Sequence, residues 1–366
     1  MSASVNSQIR LRLYRSLHTQ PRHLFFCFLN PVFSLLFVFF LSPSFLRYPP
    51  SPVFPVVSVM VLSAANWHLL SRSAAWGQLL LRNGSVYTPA SGFQEEEIRE
   101  KLLAFPGGSV DLVKQESGIA VLTVNHPARM NAFSGSMMVE LEERVSQLEG
   151  WMEGKGLIVQ GAAGTFCSGS DLTAVRAISN PQDGVRMCMF MQNALTRLLR
   201  LPLFSVALVE GRALGGGAEL TTACDFRLMA PGSVIQFVHK HMGLVPGWGG
   251  ATRLVRIVGS QNALRMLGGA LKVDPEMGLR IGLADGVLEG SQAGEESGAC
   301  ALLEAKQWLG RYTEGPAPVI RAIKAVVQSG RELPLEVSLR AERDVFGSLW
   351  GGPVNLQALV SKAKHK

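Results

Sequence analysis

Short apolar runs alternate with segments of helical periodicity through the middle of this chain. The runs are four to six residues long, are rich in Val, Ile and Leu, and occupy 119–124, 156–160, 205–210 and 226–229. Between the first two runs, apolar residues recur at helical spacing from Met137 to Leu148, and residues 185–199 repeat that pattern. Strands that alternate with helices predict βαβ units around a largely parallel sheet, and therefore an α/β fold.

The two ends of the chain differ from this middle part. Residues 1–94 show no globular patterning, and we interpret them as a leader. An amphipathic helix at 95–105 opens the globular part, so the core is predicted to span 95–290. Residues 291–366 are predicted to form a C-terminal helical segment. Helical spacing beyond Gly250 covers 251–268, 275–283, 299–312, 317–329 and 335–349.

The net charge of +7 is confined to the leader. No Asp or Glu precedes Glu95, whereas seven arginines do, so the rest of the chain is formally neutral. A neutral body offers no basic surface to a polyanion, and we therefore expect no nucleic-acid partner.

The leader contains one candidate membrane segment. Residues 24–41 are apolar over about the length of a membrane span and follow four arginines, which suits an anchor with its N-terminus inside. Asn30 and Pro31 interrupt the run, and a Pro-rich tract follows it. Two alternatives stay open: the extension is absent from the working protein, or Met60 starts a shorter leader that weakly resembles a mitochondrial transit peptide. Membrane contact is expected only if 24–41 is a real anchor.

The cysteines and histidines show no metal-binding pattern. The five cysteines lie far apart without a Cys-x-x-Cys pair, which indicates reduced thiols rather than a disulfide framework. The seven histidines form no metal-ligand spacing, so we expect no metal.

Glycine and small polar residues cluster in three segments, at 165–171, 213–219 and 245–250. Small residues leave backbone N–H groups open to a cavity, and glycines that enter a helix expose its unpaired first-turn N–H groups. Each cluster alone also fits a tight connection, and the GxGxxG spacing of a dinucleotide-binding turn is absent. Glu219 follows three glycines on an apolar helix, which favours a buried carboxyl over an ordinary first-turn acid.

The order of four motifs resembles the crotonase, or enoyl-CoA hydratase/isomerase, superfamily. The motifs are NHPARMNAFS at 125–134, FCSGSDL at 166–172, ALGGGAEL at 213–220 and GLVPGWGG at 243–250. The resemblance covers residues from about 110 to 350 and implies a crotonase spiral of ββα units that assembles into homotrimers or hexamers through the C-terminal helices. It also implies an acyl-CoA substrate, with coenzyme A as part of that substrate and no separate cofactor.

The same resemblance assigns roles to individual residues. The backbone N–H groups of Ser168 and Gly216 would form an oxyanion hole for the thioester carbonyl. Arg129, Ala132 and Asp171 would contact coenzyme A, with Asp171 near the adenine and Arg129 at the phosphates. A lone arginine is also commonly a solvated surface charge.

One position departs from the pattern of the family's hydratases. These enzymes carry a second glutamate four residues before the glycine of the GxxPG turn, where this chain has His239. The expected pair of glutamates is therefore replaced by Glu219 and His239. Hydration needs two carboxyl groups acting together, and the family's isomerases usually keep the second glutamate rather than the first. Neither reaction fits this pair.

Loss of CO₂ from a malonyl-type thioester fits better, because the bond-breaking step needs no base. Each N–H aimed at the thioester oxygen would stabilise the enolate by roughly 3–4 kcal/mol, and an apolar wall would destabilise the leaving carboxylate. We expect Glu219 to protonate the α-carbon and His239 to orient the substrate or share the proton, a structural histidine being the alternative. Candidates for the apolar wall are Phe237, Met242, Leu244 and Trp248.

Three questions stay open at this point. The α-substituent, ethyl or methyl, depends on pocket volume. A hydratase or isomerase with one altered acid and a non-catalytic acyl-CoA-binding protein are the competing functions, and the intact motifs at 166–172 and 213–220 argue against the second. The resemblance points to the cytosol, whereas the arginines of the leader point weakly to mitochondria; we expect the cytosol.

Overall fold

The computed structural model describes residues 86–87, 93–289 and 297–361. The predicted leader, with its candidate anchor at 24–41, therefore lies almost entirely outside the described residues. Within them, no helix is long and apolar enough to cross a membrane. The same residues contain no group of His, Cys, Asp and Glu side chains that could hold a metal ion.

A six-stranded sheet forms the centre of the fold. The strands are β1 (Ser109–Lys114), β2 (Ile119–Asn125), β3 (Gly156–Gly161), β4 (Phe204–Val209), β5 (Arg212–Leu214), β6 (Phe226–Met229), β7 (Val234–Gln236) and β8 (Gly286–Val287). The central sheet has the order β1-β2-β3-β4-β6-β8, in which β1 and β2 are antiparallel and all other neighbours are parallel. Strands β5 and β7 form a second, parallel pair. The predicted α/β class with a largely parallel sheet is confirmed.

Helices connect the strands and then continue alone to the end of the described residues. They are α1 (Glu95–Leu103), α2 (Gly135–Glu149), α3 (Leu172–Ala177), α4 (Pro181–Arg200), α5 (Gly216–Thr221), α6 (Gly250–Gly268), α7 (Pro275–Arg280), α8 (Ser297–Thr313), α9 (Ala317–Glu332), α10 (Leu335–Leu349) and α11 (Pro353–Val360). Every described strand lies within the predicted core of 95–290.

Both faces of the central sheet are covered, which explains why its strands are continuous apolar runs. Alternate side chains of β3 point to opposite faces. Ile158 belongs to a cluster with Leu309 of α8, on one side of the sheet. Leu157 and Val159 belong to the main core, together with Met138 of α2 and Leu195 of α4.

A second layer of short pairings brings the glycine-rich segments together. Single bridges join Phe133 to Ser170 and Cys167 to Ala213, and β5 then pairs with β7. The 165–171 segment is thereby held between the 125–134 motif and the strand that leads into α5. The site is built at this second layer.

The predicted leader is not wholly separate from the core. The N–H groups of Val86 and Tyr87 both donate to Asn193 Oδ1 on α4, at 2.9 and 3.1 Å. The boundary at residue 94 therefore leaves out two residues that hydrogen bond to the core. Hydrogen bonds of this kind leave no periodic signal in a sequence.

Candidate active site

Glu219 lies at the centre of the site, on the short helix α5, and is 1 % exposed. Its Oε2 accepts from the N–H groups of Trp248 and Gly250, each at 2.8 Å, and its Oε1 accepts from Gly247 N–H at 3.3 Å. A buried carboxylate is costly unless it is hydrogen-bonded, and the 245–250 turn supplies the donors. The predicted burial of this side chain is confirmed.

His239 completes the surroundings of this carboxyl group. Its Nε2 is 2.9 Å from Glu219 Oε1, and its side chain is 13 % exposed. Its Nδ1 is buried and has no hydrogen-bond partner among the described residues. With a proton on Nε2, all the groups that converge on Glu219 are donors, as a carboxylate requires. The Nε2–Oε1 contact is the one place where a proton can move between the two side chains.

Gly216 supplies the first donor of the candidate oxyanion hole. It begins α5, and no hydrogen bond of the described residues uses its N–H. The backbone of Gly169, at φ +103°, passes so close that a Cβ there would lie 3.1 Å from Gly216 N. The 165–171 turn therefore lies directly against this open N–H.

The second donor differs from the one predicted. Ser168 N–H donates to Met130 O at 3.0 Å, so it is already occupied. The N–H of Ser170, two residues later, takes part in no hydrogen bond of the described residues. The donor that this turn leaves open is therefore the N–H of Ser170 and not, as predicted, that of Ser168.

The direction of the Ser170 N–H follows from its neighbours. Phe133 N–H donates to Gly169 O at 2.7 Å, and Asp171 N–H donates to Phe133 O at 2.8 Å. In an extended strand, the backbone N–H and C=O groups of one residue point to the side opposite those of the residues before and after it. Ser170 N–H thus points away from Phe133.

Of the four residues predicted for the apolar wall, two are buried and two are exposed. The ring of Trp248 lies on Gly216, where an added Cβ would meet three adjacent ring atoms at 2.7 to 3.0 Å. Trp248 is 3 % exposed and packs edge-on against Phe133, with ring centroids 5.8 Å apart. Phe237 is also buried, whereas Met242 and Leu244 are 57 % and 59 % exposed. Within the described residues, Met242 and Leu244 are therefore not packed into the core as Trp248 and Phe237 are, and their place in the wall stays a prediction.

The three residues predicted to contact coenzyme A lie close to one another, on the 125–134 and 165–171 segments. Arg129 is exposed, and its Nε is 4.0 Å from Asp171 Oδ2. Asp171 caps α3 by accepting Thr173 N–H at 2.7 Å, and this hydrogen bond lowers the pKa of its carboxyl. Ala132 is buried, and its carbonyl contacts His126 Nδ1 at 3.1 Å. Their roles toward coenzyme A stay predictions.

A buried arginine, which the sequence reasoning missed, lies behind Glu219. Arg253 of α6 donates to Thr222 Oγ1 and to the carbonyls of Glu219 and Trp248 at 2.9 to 3.3 Å. Burial lowers the pKa of Arg253 to about 10, with the charge of Glu219 acting in the opposite direction. An arginine three residues into a helix that follows a glycine-rich turn was the available signal.

Comparisons with known proteins agree with this geometry. Residues 114–351 match the family described as enoyl-CoA hydratase/isomerase. The ethylmalonyl-CoA decarboxylase of Danio rerio is 71 % identical over 305 residues, which cover 83 % of this chain and 98 % of that protein. The protein of the same name from Gallus gallus is 61 % identical over 298 residues, with coverage of 81 % and 98 %.

Solved structures give the same fold. An enoyl-CoA hydratase from Bacillus anthracis superposes with a TM-score of 0.62 at 21 % identity, over 69 % of this chain and 96 % of that chain. At this identity the likeness concerns the fold alone, and it confirms the predicted crotonase fold class. Given the match across residues 114–351, the chain belongs to the enoyl-CoA hydratase/isomerase family.

Proposed function

We propose that this protein is a carboxy-lyase that converts ethylmalonyl-CoA to butyryl-CoA and CO₂. The observation that carries the proposal is the pairing of Glu219 with His239 in place of a second carboxyl group. Two relatives named ethylmalonyl-CoA decarboxylase, each matched by this chain over 98 % of its length, support the same substrate. Coenzyme A enters as part of the substrate.

The bond-breaking step needs charge stabilisation rather than a base. The Cα–carboxylate bond breaks, CO₂ leaves, and the electron pair moves into the thioester to form an enolate. The open N–H groups of Gly216 and Ser170 are placed to stabilise the enolate oxygen. The ring of Trp248 against Gly216 makes the surroundings of that oxygen apolar, which strengthens both hydrogen bonds.

The second step adds a proton to the α-carbon. Three backbone N–H groups bond the Glu219 carboxyl and His239 Nε2 lies 2.9 Å from its Oε1, so we assign the proton to the Glu219–His239 pair rather than to Glu219 alone. One proton is delivered in each turnover, and the pair then takes up one proton from the bulk solvent, so that each turnover consumes one solvent proton. Removing either side chain should slow this step.

Release of CO₂ from carboxyl-labelled thioesters tests the proposal. Purified protein is incubated with ethylmalonyl-CoA, methylmalonyl-CoA and malonyl-CoA, and separately with crotonyl-CoA. We expect labelled CO₂ from ethylmalonyl-CoA and, more slowly, from methylmalonyl-CoA. Hydration of crotonyl-CoA without CO₂ release would favour the hydratase, and binding without turnover would favour the non-catalytic protein.

The Glu219→Gln variant tests the role of the pair. Its amide NH₂ must face groups that are themselves donors, so the proton path is lost while the neighbouring oxyanion donors remain. We expect kcat for CO₂ release to fall by about 10²–10⁴-fold with KM little changed. Glu276→Gln, at an exposed position of α7, is the matched control and should have wild-type kcat. An unchanged kcat in Glu219→Gln would remove the pair from the mechanism.

The cellular role and compartment are also proposals. An enzyme that returns ethylmalonyl-CoA to butyryl-CoA would remove a by-product of carboxylation, which is a form of metabolite proofreading. We propose the cytosol as its compartment, on the likeness to relatives alone. Fractionation of cells that express the full chain decides between the cytosol and mitochondria.

We also propose that the protein assembles as a homotrimer or a hexamer. Members of this family are typically oligomeric. Large apolar side chains are exposed on the C-terminal helices, and exposed apolar patches commonly mark protein interfaces. Those more than half exposed on α10 or next to it are Leu335, Leu339, Phe346 and Trp350.

A further inference from the structure

One peptide group connects the carboxyl of Glu219 with helix α4. The N–H of the Gly247–Trp248 peptide donates to Glu219 Oε2 at 2.8 Å. Its carbonyl oxygen, on Gly247, accepts from Gln192 Nε2 at 2.7 Å and from Cys188 Sγ at 2.5 Å. Because a peptide group is planar, holding its oxygen fixes the direction of its N–H.

Gln192 and Cys188 act from one face of α4, since residues four apart in a helix are neighbours. The amide of Gln192 is oriented by its other end, because Tyr87 Oη donates to Gln192 Oε1 at 2.5 Å. The NH₂ group is therefore the end that faces Gly247. Tyr87 is itself held at α4 by its N–H bond to Asn193 Oδ1.

Cys188 is suited to be a donor in this arrangement. Burial and the nearby charge of Glu219 raise the pKa of its thiol, which therefore stays protonated at neutral pH. The Gly247 carbonyl thus receives two donors from α4. Donors on a carbonyl oxygen polarise the peptide and strengthen the N–H on its other side.

We infer that Gln192, assisted by Cys188, is a positioning residue for the proposed decarboxylation: it fixes the Gly247–Trp248 peptide, which in turn orients Glu219. Gln192 contacts neither the substrate nor the reacting atoms. The inference rests on the proposed function, because it assigns Gln192 to the step in which the Glu219–His239 pair delivers a proton.

Gln192→Glu is the informative variant. It keeps the shape of the side chain and the acceptor for Tyr87 Oη, but places an oxygen against the Gly247 carbonyl. We expect kcat for CO₂ release to fall by about tenfold to a hundredfold, with KM within about twofold of wild type. Gln160→Glu is the matched control, because it makes the same change at a part-buried glutamine that bonds Thr123 instead. The control should keep wild-type kcat and KM.

A double-mutant cycle separates positioning from general destabilisation. If Gln192 acts through Glu219, Gln192→Glu should change kcat by less than about twofold in a Glu219→Gln background. Equal losses in both backgrounds, a rise of KM alone, or an unchanged kcat would overturn the inference. Tyr87→Phe, which leaves Gln192 in place, should lower kcat in the same direction by a smaller factor and replaces Gln192→Glu if that variant does not fold. Wild-type protein without CO₂ release would instead refute the proposed function, and the inference with it.

Discussion

Apart from the His239 side chain, the groups that bond the carboxyl of Glu219 are backbone N–H groups, so the residues that supply them are constrained by space rather than by side-chain chemistry. Gly250 donates to Oε2, and a Cβ at this glycine would lie 2.4 Å from Glu219 Cγ and 2.8 Å from Oε2. Even the smallest side chain would push the carboxyl away from its donors. Gly250 is therefore required for the position of Glu219.

We predict that Gly250→Ala lowers kcat for CO₂ release by at least about a hundredfold. The added methyl group would push the Glu219 carboxyl out of position, and a misplacement of about 1 Å at a reacting group costs that much. Gly268→Ala, at the other end of α6, is the control, since a Cβ there meets no atom within 4 Å. Steady-state kinetics of both variants, with circular dichroism to confirm folding, make the measurement. Comparable activity of the two variants would contradict the assigned position of Glu219.

At the residue scale, sequence reasoning identified side chains better than backbone directions. Glu219 and His239 were recognised by their positions in motifs, and the structure brings them within 2.9 Å. The motif FCSGSD predicts the donor at Ser168, whereas Ser170 carries the open N–H in the structure. The direction of an N–H group in this turn depends on the hydrogen bonds of the residues on either side of it. Here Gly169 and Asp171 both bond to Phe133, which lies far away in the sequence.

At the scale of elements, the helices and the buried central strands were predictable, whereas the six-residue edge strand β1 and the shortest strands were not. The predicted strand at 226–229 matches β6, and the predicted helices match α2 and α4 to within a few residues. Strands β5, β7 and β8 have only two or three residues, too few to show alternation. The helix predicted at 275–283 ends at Arg280, and Gly282 follows at a φ of +74°.

Helix α10 carries an exposed apolar stripe, which we propose as the interface of the assembly. Leu335, Leu339, Phe346 and Trp350 are spaced by four, seven and four residues, so they share one face, and the last two rings lie 5.2 Å apart. We predict that light scattering after gel filtration gives three or six times the chain mass of 39.6 kDa. The interface would bury this stripe.

A charge within the stripe should dissociate the assembly. Phe346→Glu would bury an unpaired carboxylate in the interface, so we expect a monomer by the same measurement. Val113→Glu on β1, at a side chain of the same 59 % exposure, should leave the mass unchanged. An unaltered mass in Phe346→Glu would place the interface elsewhere.

At the scale of the whole molecule, the site depends on two layers that no single motif specifies. The central parallel sheet delivers the 165–171 segment and α5 to the same edge, and the second layer then joins them by single bridges. The third segment, at 245–250, is joined to the site by Glu219, because the N–H groups of Trp248 and Gly250 donate to the Glu219 carboxyl. The catalytic arrangement therefore forms only when the tertiary structure is complete.

The buried thiols predict how this structure responds to alkaline pH. Burial raises the pKa of both Cys167 and Cys224 from 9.0 to about 12. Between these values the folded chain binds more protons than the unfolded chain, so the free energy of unfolding falls as pH rises above 9. Each thiol should cost about 1.4 kcal/mol by pH 10. Urea unfolding at pH 8 and pH 10 should therefore show a loss that is smaller by this amount in Cys224→Ala than in wild type, and equal losses would show that Cys224 ionises freely in the folded protein.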